Sequence, residues 1–244
     1  EAFKGRGVSE WNVSKVTNME YMFQNCAAFD ADLSKWVTSK VKDVYWMFLG
    51  CDAFKGTGVS EWDVSKVTDM CEMFQDCAAF DADLSKWDVS EVKGMFFMFY
   101  GCTAFKGTGL SEWDVSKVTD MVWMFSDCAA FDADLSKWDT SKVTDMAFMF
   151  NNCTAFKGTS LSEWDVSEVT NMYSMFSGCT AFDADLSEWD TSKVTDMHWM
   201  FAGCTAFDAD LSEWDTSKVT DPYGMFLGCA SLPTLPAWYD SFVA

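Results

Sequence analysis

Cysteine offers the most obvious chemistry in this chain, because nine of its ten copies recur at a nearly constant interval. The nine are Cys26, Cys51, Cys77, Cys102, Cys128, Cys153, Cys179, Cys204 and Cys229. Constant spacing from Met and Phe favours a column of buried free thiols acting as small apolar groups. Disulfides between neighbours are the alternative, although an odd number leaves one unpaired. Metal binding ranks last, since no Cys-x-x-Cys or histidine cluster accompanies them. Cys71 falls outside the column, and we expect it to be exposed and reactive.

Repeated carboxylates are the second chemical feature. Aspartate follows most of the recurring tryptophans, and Asp-x-Asp pairs recur between them. Such residues suit corners of the chain, where a carboxylate accepts a nearby backbone amide. Calcium binding is the alternative, because hard cations need several converging oxygens. The best candidate for such a site is the set Asp183, Asp185, Asp208 and Asp210.

Catalysis has little support in the sequence. His198 is the only histidine, so a Ser-His-Asp or Cys-His site would have to form around it. It lies beside Trp199 at a variable position, which is typical of an ordinary surface residue. No phosphate-binding or dinucleotide glycine motif occurs. We therefore predict a protein that is not an enzyme and needs no cofactor.

Composition excludes several classes of partner. The net charge of −21 disfavours contact with nucleic acid or an anionic membrane. Hydrophobic residues make up 49% of the chain, which is too many for a disordered protein. The longest apolar run, Met95–Tyr100, is too short to insert across a bilayer. Because the first residues match the interior of later repeats, we expect residue 1 to lie within a longer parent protein.

Tryptophan marks the repeat that must position all these groups. It recurs at 11, 36, 62, 87, 113, 138, 164, 189 and 214, with a degenerate copy at 238. Two unit types alternate, one with Lys-Gly-Thr-Gly after its phenylalanine and one with Asp-Ala-Asp. This periodicity predicts a solenoid over 1–229, with 230–244 as a capping coil and tail of the same domain.

Each coil is predicted to hold two short strands and one helical turn. In the coil after Trp62, Lys66–Met70 alternates polar and apolar residues as a strand does. Asp83–Trp87 is the second strand, although the placement of its tryptophan stays open. Met73–Phe80 has the spacing of a helical turn. A lone coil cannot offset about 1–2 kcal/mol of backbone entropy per residue. About ten coils of 25 or 26 residues therefore stack into one mainly β solenoid.

Charges alternate along two columns of this predicted stack. The residue after the coil phenylalanine alternates between Lys and Asp from Lys4 to Asp183, and the residue before tryptophan alternates between Glu and Lys from Glu10 to Glu163. Stacking places opposite charges over one another, and a slip by one coil would oppose like charges. The pattern fails beyond these residues and leaves an acidic C-terminal end.

Two positions vary freely while most other positions of the repeat barely change. These are the ninth and tenth residues after each tryptophan, and they are rich in aromatic residues. Identical coils need identical packing, so variable positions are expected outside the core, where aromatic stripes mark interaction surfaces. The alternative is a half-buried column filled by whichever ring fits. The candidate binding residues are Tyr45, Trp46, Phe96, Phe97, Trp123, Phe148 and Trp199.

The repeat resembles the BspA-like leucine-rich-repeat surface proteins, in the branch with 25-residue lipoprotein-type units. The matching elements are W-D-x-S-K-V-T-D-M-x-x-M-F-x-x-C and F-x-x-D-L-S-x-W, which recur over nearly all of 3–238. The resemblance implies a right-handed, leucine-rich-repeat-like β-solenoid at the cell surface, outside the cell. It also implies adhesion to, or binding of, a protein or glycan partner.

Two further functions compete with partner binding. The coils could associate end to end into filaments or surface layers. A regular threonine face could instead bind ice or mineral, although Lys42 and Lys93 interrupt it. That face comprises Thr17, Thr68, Thr119, Thr144, Thr170, Thr195 and Thr220.

Overall fold

The chain winds into successive stacked coils, as the repeat predicts. The structure is a computed structural model that describes residues 2–243, without the side chains of residues 241 and 243. A single parallel β-bridge joins each coil to the next at the seventh residue after tryptophan. The bridged residues are Asn18, Asp43, Asp69, Gly94, Asp120, Asp145, Asn171, Asp196 and Asp221. The molecule is therefore a repeat solenoid, and its handedness stays a prediction.

The prediction of a mainly β fold is not confirmed. Within residues 2–243 the only β pairing is this column of isolated bridges, and the predicted strands at 66–70 and 83–87 are wrong. The alternation at Lys66–Met70 reflects burial of Val67 and Met70 around one bridged residue. Ladder hydrogen bonds continue instead through the segment that follows the bridge.

That segment is a run of tight turns, so the predicted helical turn over Met73–Phe80 is also wrong. Its alternate amides bond within the coil, as Met73 N–H does to the Met70 carbonyl at 3.3 Å. The remaining amides donate to the next coil. In the coil after Trp62 the donors Met70, Glu72, Phe74 and Asp76 reach the carbonyls of Gly94, Phe96, Met98 and Tyr100 at 2.7–3.0 Å. Turns closed by bonds three residues apart satisfy the Met-Phe spacing as well as a helix does.

Helices are few and short in the described chain. Three one-turn 3-10 helices span Val8–Glu10, Val59–Glu61 and Leu110–Glu112. Each follows a glycine in the left-handed region, with φ of 82–90°. The fourth equivalent segment has Ser160 in place of that glycine and forms only a turn. Helix α1 (Ala237–Val243) ends the described chain.

Stacked columns of identical side chains build the core. The phenylalanines of the Met-Phe pairs stack at 5.6–5.9 Å between ring centroids from Phe23 to Phe226. A second phenylalanine column, from Phe29 to Phe207, packs beside the first at 4.1–4.4 Å. Each ring thus contacts the coils above and below, and no coil has a core of its own.

The tryptophans lie inside, which settles the placement that the sequence leaves open. Trp36 to Trp214 are 2–4% exposed. Each indole Nε1–H donates to the backbone carbonyl of a Val or Leu in the preceding coil, at 2.8–3.5 Å. A buried indole needs such an acceptor, so the tryptophan column is held by hydrogen bonds as well as by packing.

The alternation of unit types has a steric cause as well as an electrostatic one. The first glycine of the Lys-Gly-Thr-Gly unit packs against the phenylalanine and alanine of the following Asp-Ala-Asp unit. At Gly107, an added Cβ would come within 2.6 Å of both Phe131 and Ala133. This glycine also has φ of +83°. A coil of one type therefore fits under a coil of the other type.

The predicted charge columns form salt bridges between neighbouring coils. Lys35–Glu10, Lys86–Glu61 and Lys137–Glu112 pair at 2.5–2.7 Å. The second column contributes Lys55–Asp30, Lys106–Asp81 and Lys157–Asp132. The two columns take turns, so each successive interface in this part of the stack has one bridge from these columns, and Lys117–Glu91 adds a second bridge to the interface that holds Lys137–Glu112. The side chains are largely exposed, and their value is in fixing register rather than in stability.

The two described ends of the stack differ. At the N-terminal end of the described residues Trp11 is 49% exposed and stacks on Trp36 at 6.5 Å between ring centroids. At the other end α1 covers the last coil, with Trp238 Nε1–H donating to the Leu211 carbonyl at 2.9 Å and Tyr239 packed on Phe226. The predicted capping segment is thus helical from residue 237. None of the helices in the described range has the length and apolarity needed to cross a membrane.

Candidate binding surface

The cysteines of the column are free, as predicted, and seven of the nine are buried, while Cys26 and Cys229 are half-buried. Eight thiols donate to the backbone carbonyl of a phenylalanine in the preceding coil, at 2.8–3.1 Å from Sγ to O. Burial raises the pKa of these thiols, that of Cys51 to about 12. The column therefore presents protonated hydrogen-bond donors to the core and offers no nucleophile.

Cys71 differs from the prediction that it is exposed and reactive. Its side chain is half-buried. Burial, followed by the neighbouring Asp69 carboxylate, raises its pKa well above the usual range for a thiol. Because the thiolate is the reactive form, Cys71 is held in its unreactive state.

The corner aspartates accept hydrogen bonds from nearby backbone amides, as predicted by the first of the two interpretations of the repeated carboxylates. Asp63 accepts the Ser65 amide at 3.1 Å and its hydroxyl at 2.7 Å, and these bonds lower the pKa of Asp63. In the candidate cation set, Asp185 and Asp210 accept the amides of Ser187 and Ser212, which likewise lowers each pKa. All four candidates line one shallow groove. Residues 2–243 contain no group of three or more side chains arranged to hold a metal, so calcium binding rests on the sequence alone.

The threonine face is occupied by contacts between coils. Its hydroxyls are exposed, yet those of Thr144, Thr170, Thr195 and Thr220 donate to the carbonyl of the threonine one coil earlier, at 3.0–3.4 Å. The hydroxyl proton of each of these four threonines is therefore already engaged in a hydrogen bond within the stack. Ice or mineral binding therefore has no support from the geometry of this face.

The variable aromatic residues fall into two groups on one side of the solenoid. The first group is Tyr21, Tyr45 and Trp46, with ring centroids 4.9–6.0 Å apart. Cys71 and Glu72 separate it from a longer row, which we call the aromatic strip. The strip comprises Phe96, Phe97, Tyr100, Trp123, Phe148, Tyr173, His198, Trp199 and Tyr223.

Consecutive rings of the aromatic strip are in contact. Trp123 stacks on Phe97 at 5.3 Å and on Phe148 at 3.8 Å. Phe148 in turn lies 4.8 Å from Tyr173. His198 belongs to the strip, between Tyr173 and Tyr223, and so is more than an isolated surface residue. Sequence analysis missed Tyr100, Tyr173 and Tyr223 as members, although Tyr173 and Tyr223 occupy a variable position in their coils.

The strip lies between core and solvent. Most of its rings are half-buried, while Trp199 is 40% and Tyr223 65% exposed. The variable positions thus combine both interpretations, the half-buried column and the exposed aromatic stripe. The rings pack on one another along the stack, and each remains partly exposed to water.

Backbone conformation separates this column from every other one. The tenth residue after tryptophan has positive φ in all nine coils, from 51° at Ser174 to 68° at Gly224. Elsewhere the left-handed positions contain residues that tolerate this conformation: the column directly before cysteine contains only Gly, Asn and Asp, and the Lys-Gly-Thr-Gly units contain glycine. The tenth position instead contains an aromatic ring in six coils, at Tyr21, Trp46, Phe97, Trp123, Phe148 and Trp199. The residue types before cysteine thus suit the left-handed backbone, whereas the aromatic residues at the tenth position are unfavourable for it.

Carboxylates line one edge of the strip. Asp120 Oδ1 accepts the amide of Val122, the residue before Trp123, at 2.9 Å. Asp145 caps Ala147, the residue before Phe148, in the same way. Burial raises the pKa of Asp120. The bond from the Val122 amide opposes this shift, and the charge of Asp145 adds to it.

The opposite edge is acidic near Tyr100. Burial raises the pKa of that phenol, and the charges of Asp127 and Asp76 raise it further. The lysine salt bridges described in residues 2–243 all use other carboxylates. The strip is therefore an aromatic surface with unneutralised negative charge on both sides.

Comparison with known proteins establishes the family. The family model described as "Mycoplasma protein of unknown function, DUF285" matches residues 1–80, 41–136, 82–160 and 156–239. Together these spans cover nearly the whole chain, which therefore belongs to that family. No curated protein matches the chain.

Solved structures of leucine-rich-repeat proteins are distantly similar. A leucine-rich-repeat protein from Bacteroides ovatus is 14% identical, with 91% of this chain and 70% of that chain covered and a TM-score of 0.35. A leucine-rich cell surface protein from Faecalibacterium prausnitzii is 15% identical, with 93% and 79% covered and a TM-score of 0.28. The leucine-rich-repeat protein of T. pallidum is 13% identical, with 93% and 76% covered and a TM-score of 0.28.

Proposed function

We propose that this protein is a non-catalytic repeat scaffold that binds a protein or glycan partner through the aromatic strip. One observation carries the proposal: bulky aromatic residues occupy a left-handed backbone column that glycine would satisfy better. A left-handed residue with a Cβ costs about 1–2 kcal/mol relative to glycine. Strain of this kind is typical of functional sites, where the side chain is needed for a contact.

Ring stacking within the strip recovers part of that cost. Each aromatic pair contributes about 0.5–1.5 kcal/mol beyond area burial. Stacking alone does not account for the open faces of Trp199 and Tyr223. A partner that covers these faces would bury them in full, and Trp and Tyr are the side chains that most often anchor interfaces.

A cell-surface, extracellular setting with a role in adhesion belongs to the same proposal. It rests on the resemblance of the W-D-x-S-K-V-T-D-M repeat to BspA-like surface proteins. A leucine-rich-repeat-like, right-handed winding is proposed on the same basis.

The test is selection of ligands on the intact chain. A peptide-display library and a glycan array are each screened with wild type and with Trp123→Gly, which keeps a residue suited to positive φ. Trp11→Ala is the matched control, because Trp11 is also exposed but lies outside the strip. We expect ligands that bind wild type and the control equally and lose affinity for Trp123→Gly by more than about tenfold. Ligands whose affinity is unchanged by Trp123→Gly would refute the proposal.

End-to-end assembly is a second candidate function. In this chain Phe3 and Trp11 are 46% and 49% exposed and stack on core rings such as Phe23. A second molecule could continue the phenylalanine and tryptophan columns there. Light scattering that grows with protein concentration, and that Trp11→Lys abolishes, would support assembly. A monomer at every concentration would exclude it.

A further inference from the structure

We infer that the ligand of the aromatic strip is an extended, positively charged polypeptide segment rich in arginine or lysine. The inference rests on the proposed function, which supplies the surface, and adds the chemical class of the occupant. Two features of the strip meet here: aromatic rings that are partly exposed to solvent, and carboxylates without a lysine or arginine partner in a described salt bridge.

Aromatic faces bind cations through the negative potential of the ring. Trp is the strongest partner for Arg and Lys, and Tyr and Phe follow. Trp123 and Trp199 occupy two coils of the strip, and the intervening coils contribute Phe148 and Tyr173. Trp123 is itself stacked between Phe97 and Phe148, so the rings most open to a cationic side chain are those of Trp199 and Tyr223, which are 40% and 65% exposed.

Carboxylates beside the rings complete the complementarity. Asp120 and Asp145 are bridged neighbours that repel one another. Asp221 Oδ2 lies 3.8 Å from His198 Nδ1, which places a further carboxylate at the C-terminal end of the strip. A cation between the rings and these carboxylates would relieve the repulsion, whereas a neutral glycan would leave it in place.

The length of the strip sets the length of the segment. From Phe97 to Tyr223 the strip crosses five coil spacings of about 4.8 Å, or about 24 Å. An extended chain advances about 3.3 Å per residue, so about seven residues cover it. The total charge of −21 would attract such a segment from a distance, but it does not choose this face.

The experiment must therefore separate local contacts from the overall field. Fluorescein-labelled hepta-arginine is titrated with the full chain, and binding is read as fluorescence anisotropy at physiological salt. Hepta-citrulline is the neutral control, because it keeps the shape of arginine without the charge. The test variant is Asp120→Asn/Asp145→Asn. Asn171 already fills the equivalent position and accepts the Tyr173 amide at 3.0 Å, so the backbone cap survives.

A second pair of substitutions removes the same charge from another face. Asp88→Asn/Asp139→Asn changes two corner residues, and Asn12 caps Ser14 in the same way at the equivalent corner. We expect the first pair to weaken hepta-arginine binding about tenfold and the second pair less than twofold. Equal losses from both pairs, or no preference for hepta-arginine over hepta-citrulline, would overturn the inference.

Failure here and failure of the proposed function have different signatures. If Trp123→Gly abolishes binding of library ligands while Asp120→Asn/Asp145→Asn leaves it intact, the strip is a binding surface for an uncharged partner. In that case the cationic ligand is wrong and the proposed function stands. If Trp123→Gly leaves the affinity of every selected ligand unchanged, both the cationic ligand and the proposed function are wrong.

Discussion

Alkaline pH should unfold this protein abruptly, because the cysteine column cannot ionise without leaving the core. In the unfolded chain a thiol has a pKa of about 8.5. In the folded chain burial raises the pKa of the thiols in the cysteine column, as at Cys77, Cys128 and Cys153. Above about pH 8.5 the unfolded chain thus releases protons that the folded chain retains. Stability is fully present below that pH and is lost as pH rises.

The magnitude follows from the number of buried thiols. Seven ladder cysteines, from Cys51 to Cys204, are 0% exposed. Once its unfolded form is ionised, each thiol lowers the unfolding free energy by about 1.4 kcal/mol per pH unit. Seven together give a slope of about 10 kcal/mol per pH unit at about pH 10. That equals the whole stability of a typical domain, so unfolding should be complete within about one pH unit.

The assay is urea denaturation under reducing conditions, followed by circular dichroism across this pH range. Ultraviolet absorbance of the thiolate reports ionisation independently and should rise together with unfolding. Cys102→Ser/Cys128→Ser is the control, because two fewer thiols should reduce the slope by about 3 kcal/mol per pH unit. Stability that stays level to about pH 10, with no thiolate absorbance, would refute the free-thiol column and favour disulfides.

Three other predictions test the packing. Trp123→Gly should be about 1 kcal/mol more stable to urea than Trp123→Ala, because φ is +59° there; at the neighbouring Val122, outside the left-handed column, alanine should be the better of the two. Trp113→Phe should cost about 2 kcal/mol in the same assay, since it leaves the Leu84 carbonyl without its donor; Thr119→Ala at the surface should cost less than half as much. Gly107→Ala should cost about 2 kcal/mol or more, from left-handed strain and the close approach of the next coil; an unchanged melting temperature would contradict the steric account of unit alternation.

Much of the architecture can be predicted from the sequence because the repeat makes each coil a copy of its neighbour. Residues that never vary, such as Phe74 and Cys77, lie in the core columns. Alternating charges such as Glu61 and Lys86 meet in the stack. Both inferences need only the period and the rule that identical coils place like residues over one another.

The local backbone could not be predicted in the same way. A polar–apolar alternation at Lys66–Met70 looks like a strand, but only Asp69 forms a bridge there. The left-handed column was hidden because Trp123 and Phe148 are residues that ordinarily avoid positive φ. The column before cysteine, with its Gly, Asn and Asp, carried a readable signal. Membership of Tyr100 in the strip depends on contacts with rings of other columns, which periodicity does not give.

The location of the ligand is the most direct test of the account. Hydrogen–deuterium exchange of the full chain is measured with and without a peptide selected on wild type. We predict protection confined to the turns that carry the aromatic strip, around Phe97, Trp123, Phe148 and Trp199, whose amides bond to the next coil. Protection centred on the threonine face, or on the exposed coil around Trp11, would contradict it.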